Sequence, residues 1–181
     1  MAAQNETLPD SPRSVSALGG KYYFDDAQEW PDTLMVTYDF VPGVLLTYEM
    51  RVWNAYPLHD EPEGAAICGD DGFVIIGNSR WRAFDAKGKP IREEKGGYND
   101  LGHAKNFLDC MRSRQRPNAD LETIGHPSSL LCHIGNAAWR TGRTLHFDPA
   151  TYTFKDDEDA NRFLTRPEYR KPWILPKLSD V

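Results

Sequence analysis

The stretch Thr33–Trp53, TLMVTYDFVPGVLLTYEMRVW, indicates the fold more clearly than any other part of the sequence. Two runs, Thr33–Phe40 and Val44–Trp53, alternate between apolar and polar residues, and a Pro-Gly reversal separates them. Since so short a connection cannot join parallel strands, the two runs are predicted to form an antiparallel hairpin. The alternation also predicts one packed sheet face and one face that is wet or covered by a partner.

Further short β-prone runs flank this hairpin. Ser14–Phe24 precedes it and is predicted to be a strand. Downstream, Ala65–Cys68 and Phe73–Ile76 enclose an Asp-Gly turn, and Asp-Gly between two apolar runs is a strong hairpin signal. Trp81–Phe84 predicts one more strand, followed by a turn. The first half of the chain is therefore expected to consist of antiparallel strands.

The second half of the chain changes to helical periodicity. Apolar residues recur at i, i+3, i+4 and i+7 from Ala104 to Met111, which predicts an amphipathic helix over 100–115. Asp100 is its expected cap and Pro117 its expected stop. Three later elements are also predicted: a second helix from Pro127 to about Arg140 closed by Gly142, a strand over Thr144–Phe147, and a helical piece over Ala160–Leu164.

Strands followed by two helices and a final strand favour an α+β fold. We expect an open, mainly antiparallel β-sheet with helices packed on one face. Residues 1–13 are polar, contain two prolines and are predicted to be a flexible leader. Residues 14–165 are predicted to form one domain, and 166–181 an extended strap that packs on its own domain or on a neighbouring subunit.

Composition excludes several classes of protein. The 181 residues, 40% of them hydrophobic, can bury one core. A net charge of −6 without a basic stripe argues against nucleic acid as a partner. No apolar run approaches the ~18 residues of a membrane span, and the first residues do not resemble a secretory signal, so a soluble protein is expected. A cytoplasmic location is expected because the cysteines show no disulfide or zinc-binding pattern. Cys68, Cys110 and Cys132 are widely spaced and are predicted to be buried free thiols.

The end of the second hairpin strand carries candidate ligand-binding groups. Arg51, Trp53 and Asn54 supply a guanidinium, an indole and an amide, with Tyr98 as a further candidate. Such side chains suit a sugar, because aromatic faces stack on its ring while polar tips bind its hydroxyls. Alternation places Glu49, Arg51 and Trp53 on one face. An ordinary Glu49–Arg51 ion pair beside an edge tryptophan explains the same pattern, and both interpretations stay open.

The histidines offer a second set of candidates. His126 lies in a Gly-His-Pro run at the start of the second helix, where the helix dipole favours an uncharged ring that can face a ligand. The alternative is that His126 and His133 hydrogen-bond the backbone and hold the helix in place. His103, His126 and His133 lack ligand spacing on one helix face, so no metal is predicted. No GxGxxG or GxxxxGK[ST] run is present, so no nucleotide cofactor is expected for this chain alone.

Several runs of the sequence occur together: SALGGKYYFDD at 16–26, PDT at 31–33, TYEMR at 47–51, HAKNFLDCMRSR at 103–114, CHIGN at 132–136 and YRKPW at 169–173. This combination resembles the C-terminal domain of the Gfo/Idh/MocA oxidoreductases, in particular a bacterial sugar-dehydrogenase-like branch. The resemblance extends from about Ser14 to Leu175.

The resemblance implies the second half of a two-domain NAD(P)-dependent enzyme that acts on sugars or polyols. Such a domain lines the substrate pocket, and its open sheet face makes subunit contacts. The N-terminal Rossmann domain and the Glu-Lys-Pro motif with the catalytic lysine are not found in this sequence. We therefore assign no catalytic residue, and NAD or NADP is expected only with a Rossmann-domain partner.

The expected function is a substrate-binding and oligomerisation domain that is not redox-active alone. It would bind a sugar or polyol and form a homo-oligomer through the open sheet face. The candidate substrate-binding residues are Arg51, Trp53, Asn54, Tyr98, His103 and His126. Two alternatives stay open: a repurposed, nicotinamide-independent hydrolase or lyase, and a non-catalytic sugar-binding module that uses the same sheet face.

Overall fold

A computed structural model describes residues 11–41, 43–54 and 56–176 of the chain. The chain divides into two compact units, which we call the first unit (1–53 and 121–181) and the second unit (54–120). The predicted domain 14–165 thus includes parts of both. The α+β class with antiparallel pairing is confirmed, although the strands form two sheets, of five and four strands, rather than one.

The first unit contains the five-stranded sheet. Its strands are β1 (Ser14–Gly20), β2 (Thr33–Phe40), β3 (Val44–Arg51), β8 (Leu145–Asp148) and β9 (Thr153–Phe154), in the order β3-β2-β1-β8-β9. The predicted hairpin is confirmed, with β2 and β3 paired antiparallel from Thr33 opposite Arg51 to Phe40 opposite Val44. Pro42, in its turn, lies outside the described residues. The first strand ends at Gly20 rather than at the predicted Phe24, because the following backbone turns onto a buried carboxylate.

Two helices and a π-helical turn complete the first unit. The π-helical turn, Leu121–Gly125, leads directly into α2 (His126–Thr141), and α3 (Glu158–Asn161) follows the last strand. The predicted second helix and its glycine stop are confirmed. Gly142 adopts φ 64°, a left-handed conformation that glycine tolerates, and its N–H donates to the Ala138 carbonyl at 2.9 Å.

One face of the five-stranded sheet forms the core of the first unit. Alternate residues of β1, β2 and β8 are buried on the side of α2, as the period of two requires, whereas no residue of β3 is fully buried. The fully or nearly buried apolar residues are Val15, Ala17, Leu34, Val36, Tyr38, Phe40, Ile134, Ala137, Ala138, Leu145, Phe147, Phe154 and Ala160. The opposite face, which we call the outer face, carries Leu18, Met35, Leu45 and several Ser and Thr residues in solvent.

Helix α2 approaches the sheet most closely at Gly135. A Cβ atom on Gly135 would lie 2.7 Å from the Tyr38 hydroxyl and 3.1 Å from Cγ1 of Val36. That hydroxyl donates to the Leu131 carbonyl at 2.8 Å, and burial raises the pKa of Tyr38. The small residue is therefore required by helix–sheet packing.

Gly135→Ala is expected to destabilise the protein by about 1–2 kcal/mol, because crowding of the Tyr38 hydroxyl exceeds the gain in helix propensity. In a Tyr38→Phe background the same substitution should cost clearly less, since the crowded oxygen is gone. Urea unfolding of the wild type, the two single variants and the double variant measures the coupling between Gly135 and the Tyr38 hydroxyl. An equal cost in both backgrounds would show that the hydroxyl does not set the spacing.

The second unit contains the four-stranded sheet and one helix. The antiparallel strands are β4 (Gly64–Gly69), β5 (Gly72–Gly77), β6 (Arg80–Asp85) and β7 (Pro90–Lys95), in chain order, followed by α1 (Asp100–Ser113). The Asp-Gly hairpin between β4 and β5 is confirmed. The cap of α1 is Asn99 and not Asp100, since the Asn99 side chain accepts the N–H of Gly102 at 2.9 Å. The helix ends at Ser113, and the next residue, Arg114, adopts a left-handed φ of 60°. The predicted stop, Pro117, lies three residues further along the chain.

The second unit buries a carboxylate between two guanidinium groups. Glu61 has a side chain only 9% exposed, and its Oε1 lies 2.7 Å from Nε of Arg80 and 3.3 Å from Nη2 of Arg82. Its carboxylate packs against the Cα of Gly77, where a Cβ would collide with it. Within the described residues, Nε of Arg82 is buried and has no hydrogen-bond partner. Glu61 is therefore the carboxylate that the two guanidinium groups share. Arg80 also pairs with Glu93, and Arg82 with Asp60 and the His59 carbonyl.

The structure corrects the expectation about the cysteines. The thiols are free, but Cys68 and Cys132 are exposed and Cys110 is half-buried, so the prediction of burial was wrong. Arg13, the last residue of the predicted leader, donates its backbone N–H to the Asp39 carbonyl, and its own carbonyl accepts the N–H of Phe147. Residues 1–10 and 177–181 lie outside the described residues. The described part of the predicted strap, 166–176, keeps its large apolar side chains exposed.

Candidate functional site

The loop after β1 is organised by one buried carboxylate. Asp32 is only 1% exposed, and its oxygens accept backbone N–H groups from Tyr22 at 3.1 Å, Tyr23 at 2.8 Å and Phe24 at 3.0 Å. Burial would raise the pKa of Asp32, but the three amides and the Thr33 hydroxyl outweigh it and lower the pKa from 3.8 to about 2. The loop is therefore held in one conformation by an ionised side chain.

Trp53 joins this loop to the end of β3. Its indole N–H donates to Oγ1 of Thr33 at 2.8 Å, and the Thr33 hydroxyl donates in turn to Asp32 at 2.8 Å. The indole stacks on Tyr23 with ring centroids 5.1 Å apart and planes inclined by 14°. The backbone N–H of Tyr23 donates in turn to Asp32. A closed cycle of contacts therefore joins four residues: Asp32, Thr33, Trp53 and Tyr23.

The cycle presents aromatic rings to solvent. Tyr23 is 65% exposed although Trp53 covers one of its faces, and Phe24 meets it edge-on at 5.1 Å and 86°. We call Tyr23, Phe24 and Trp53 the aromatic platform. A shallow cavity of about 340 Å³, lined by residues Lys21–Asp25, adjoins it. Exposed rings held rigidly beside polar groups are suited to binding a ligand that has both apolar and hydroxylated surfaces.

Arg51 lies beside the platform on the outer face. It pairs across the sheet with Thr33, the residue that binds Trp53. Its Nε lies 2.9 Å from Oε1 of Glu49, so the ion pair considered from the sequence is present. The guanidinium is half-buried and retains further N–H donors, so the ion pair does not prevent it from binding a ligand.

His126 lies at the opposite end of α2 from the platform. Trp139, near the end of α2, donates to the carbonyl of Gly19 at the end of β1, from which the aromatic loop begins. With a rise of about 1.5 Å per residue, His126 is about 20 Å further along the helix axis. Its ring meets that of Tyr152 at 5.2 Å and 72°, and His133 is exposed.

His126 adjoins a second cavity of about 340 Å³ in the first unit. The lining residues are Ser11, Glu122, Thr123, His126, Pro127, Leu130, Pro149 and Tyr152. The structure therefore brings Arg51 and Trp53 together but does not bring His126 to them.

The remaining candidates belong to the second unit. Asn54 accepts the backbone N–H of Tyr56 through its side chain at 2.8 Å, and the Tyr98 hydroxyl donates to Asn78 at 3.0 Å. His103 is exposed in the first turn of α1. Among the described residues, no group of three or more His, Cys, Asp or Glu side chains could hold a metal ion.

Sequence reasoning found Trp53 but missed the residues that position it. Asp32 and Tyr23 are nine positions apart, and the alternation that identified Trp53 carries no information about a loop folded onto a carboxylate. The segment Pro31-Asp32-Thr33 is the signal that could have identified Asp32, because it places an Asp between a polar, aromatic loop and the start of a strand. Asp side chains commonly accept backbone N–H groups in such turns.

The described residues do not fit a dinucleotide. Such a cofactor needs a glycine-rich turn between a parallel strand and a helix, whereas the described strands pair antiparallel. Gly19 is required by the close approach of the β2 backbone, since its Cβ would collide with the Thr33 carbonyl.

A comparison with protein families identifies the class of the chain. Residues 81–175, just over half of it, match the model of the Gfo/Idh/MocA oxidoreductase family, C-terminal alpha/beta domain. The chain belongs to this family, in agreement with the resemblance of its sequence to the family's C-terminal domain. No curated protein matches the chain. Within the described residues, no helix is long and apolar enough to cross a membrane.

Seventeen chains of known structure are similar to this one. A protein described as an oxidoreductase from Thermotoga maritima has 20% identity and a TM-score of 0.53 over 74% of this chain and 40% of its own. One from Klebsiella pneumoniae has 12% identity and a TM-score of 0.55, over 83% and 46%. YvaA from Bacillus subtilis has 10% identity and a TM-score of 0.51, over 76% and 46%. These likenesses concern the fold, and the chain spans less than half the length of each relative.

Proposed function

We propose that this chain is the substrate-binding and subunit-contacting part of an NAD(P)-dependent oxidoreductase of sugars or polyols. The observation that carries the proposal is the aromatic platform, an exposed stacked Tyr23–Trp53 pair held by a buried carboxylate. Family membership supports the reaction class. Hydride transfer requires a nicotinamide, which we propose is bound by a Rossmann domain outside the described residues.

The chemistry of the platform suits a hydroxylated ligand. The exposed part of the Tyr23 side chain offers an apolar surface for C–H groups, while Lys21 and Asp25 line the adjoining cavity and offer a donor and acceptors. Arg51 adds a planar set of N–H donors on the outer face. Such a site would orient the substrate, and we assign it no proton or hydride transfer.

Trp53→Ala is expected to weaken binding of methyl β-D-glucopyranoside about tenfold, because the indole supports the ring on which the sugar stacks. Isothermal titration calorimetry measures the loss. Trp173→Ala, which removes an exposed tryptophan from the C-terminal segment, is the matched control and should leave binding unchanged. Unaltered affinity in a folded Trp53→Ala protein would contradict the assignment of the site.

We also propose that the outer face of the five-stranded sheet binds a second copy of the chain. Leu18 is 80% exposed and pairs directly with the exposed Met35, and Leu45 is exposed two rows away on the same face. Ser16, Thr37 and Thr47 lie between them. The same face also carries Asp39, which pairs with Arg13, and Glu49, which pairs with Arg51, so these charged side chains are partnered within the chain. The apolar side chains on this open face favour association.

Leu18→Glu is expected to shift the protein toward the monomer, since a carboxylate cannot be buried unpaired in such an interface. Light scattering after size exclusion measures the mass. Leu101→Glu, an equally exposed site on α1, is the control and should leave the mass unchanged. A wild-type monomer at micromolar concentration, or a Leu18→Glu variant of unchanged mass, would refute the outer face as the interface.

A further inference from the structure

Strand β4, Gly64–Gly69, forms one edge of the four-stranded sheet in the second unit. All of its residues are exposed, and among the described residues only β5 pairs with it. The free side of an edge strand presents unpaired backbone N–H and C=O groups, which are a template for another extended chain. This edge is therefore a candidate docking surface.

The register of the β4–β5 hairpin shows which backbone groups of β4 point away from the sheet. Gly69 lies opposite Gly72 across a two-residue turn, so this pair is hydrogen-bonded. Hydrogen-bonded and non-hydrogen-bonded pairs alternate along antiparallel strands. Gly64, Ala66 and Cys68 therefore direct their N–H and C=O groups outward, and the edge offers a regular row of donors and acceptors.

The two edges of this sheet differ in their protection against an added strand. The opposite edge, β7, has a proline and four charged residues, and its register is irregular next to Ala83. Prolines, charges and bulges all discourage edge pairing. Strand β4, GAAICG, has no proline and no charged residue, and its register with β5 is continuous. Its side chains are also small apart from Ile67, so they leave the backbone accessible.

Acidic side chains flank β4 at both ends. Glu63 precedes the strand, Asp70 and Asp71 follow it, and all of them are exposed. Pairing of two copies through β4, whether parallel or antiparallel, would place acids of one strand beside acids of the other, which is unfavourable. An incoming segment with basic residues at its ends would instead meet opposite charges. Charge complementarity therefore favours a basic-flanked partner over a second copy of the chain.

We propose that the β4 edge binds an extended segment of a partner protein, with uncharged β-prone residues at its centre and Lys or Arg at both ends. The segment adds a strand to the sheet. Backbone hydrogen bonds to Gly64, Ala66 and Cys68 supply the affinity, and the acidic flanks select the basic ends. This surface belongs to the second unit and shares no residue with the aromatic platform.

Fluorescence anisotropy of a labelled peptide tests the surface with the 181-residue protein. The probe is the peptide KVTVTVTK, blocked at both termini, and it should bind saturably. The peptide EVTVTVTE, in which acids replace the flanking lysines, should bind at least tenfold more weakly. No saturable binding of KVTVTVTK would overturn the proposal, and equal affinities for the two peptides would refute the selection of basic ends.

Two substitutions at Ala66 distinguish strand addition from binding elsewhere on the protein. Ala66→Pro removes an outward N–H and leaves the hydrogen bonds to β5 in place, and proline is tolerated at such an edge position. It should weaken binding of KVTVTVTK at least tenfold, whereas Ala66→Ser keeps the N–H and should bind like the wild type. Unchanged affinity in Ala66→Pro would overturn the proposal. So would a lower mass of Ala66→Pro in light scattering, since β4 would then pair with a second copy.

The double variant Glu63→Gln, Asp70→Asn tests the acidic flanks without altering the backbone. It should bind KVTVTVTK at least threefold more weakly, and its affinity should depend less on NaCl concentration, because fewer charges remain to be screened. Unchanged affinity and salt dependence would refute the role of the flanks.

Discussion

Asp32→Asn is expected to lower the Tm at neutral pH and to flatten the dependence of stability on pH below about 4. The carboxylate accepts three backbone N–H groups and the Thr33 hydroxyl. A neutral amide accepts through one oxygen only, and its NH₂ group would face donors that it cannot satisfy. The loop 21–32 should therefore lose its single conformation.

The sign of the pH effect follows from the direction of the pKa shift. The pKa of Asp32 is lowered in the folded protein from 3.8 to about 2. The unfolded state therefore binds the proton more tightly, so this group stabilises the fold above pH 4 and its contribution is lost as the pH falls toward 2. Thermal unfolding between pH 2 and pH 7 measures the slope.

Asp70→Asn is the matched control for Asp32→Asn. Asp70 lies in the exposed turn between β4 and β5, so its substitution should alter neither the Tm nor the acid slope. If Asp32→Asn were to keep the wild-type acid slope, the carboxylate would not be the group that anchors the aromatic loop.

Glu61→Ala is expected to destabilise the second unit by about 3 kcal/mol, because it leaves two partly buried guanidinium groups without their shared carboxylate. Arg82 is the more buried of the two and already has one nitrogen without a partner in the described structure. Urea unfolding monitored by fluorescence gives the change in free energy.

An exposed ion pair provides the control for Glu61→Ala. Glu94 pairs with Arg92 on the neighbouring strand β7, where both side chains are well exposed. Glu94→Ala should therefore change the stability by less than about 0.5 kcal/mol. Similar losses for Glu61→Ala and Glu94→Ala would show that the central carboxylate is no more important than a surface charge.

The elements that could be predicted from the sequence are those with local signals. Alternation and a Pro-Gly turn indicate the β2–β3 hairpin, and helical periodicity with a terminal glycine indicates α2. The strand β7, PIREEK, has a proline and four charged residues, so no alternation identifies it. The two-residue strand β9 forms only because β8 offers it a partner. Division of the strands between two sheets depends on tertiary pairing that local patterns do not encode.

The candidate site could be predicted only in part for the same reason. Arg51 and Trp53 follow from alternation along one strand, whereas Tyr23 and Asp32 join them through a loop whose shape depends on long-range hydrogen bonds. The sequence also offers His126 as a substrate-binding candidate, because the helix dipole favours an uncharged ring at the start of α2. The length of α2 separates His126 from the platform by about 20 Å. Residue types alone do not indicate how far apart two residues lie in the fold.

Nuclear magnetic resonance of the indole N–H groups tests the central claim most directly. The chain has five tryptophans, and a Trp53→Phe spectrum assigns the signal of Trp53. Titration with methyl β-D-glucopyranoside should shift the Trp53 signal saturably and leave that of Trp173 in place, while NADH should shift none of the five. A Trp53 signal unmoved by the sugar, or a saturable shift with NADH, would contradict the assignment of this chain as a sugar-binding domain without a cofactor site.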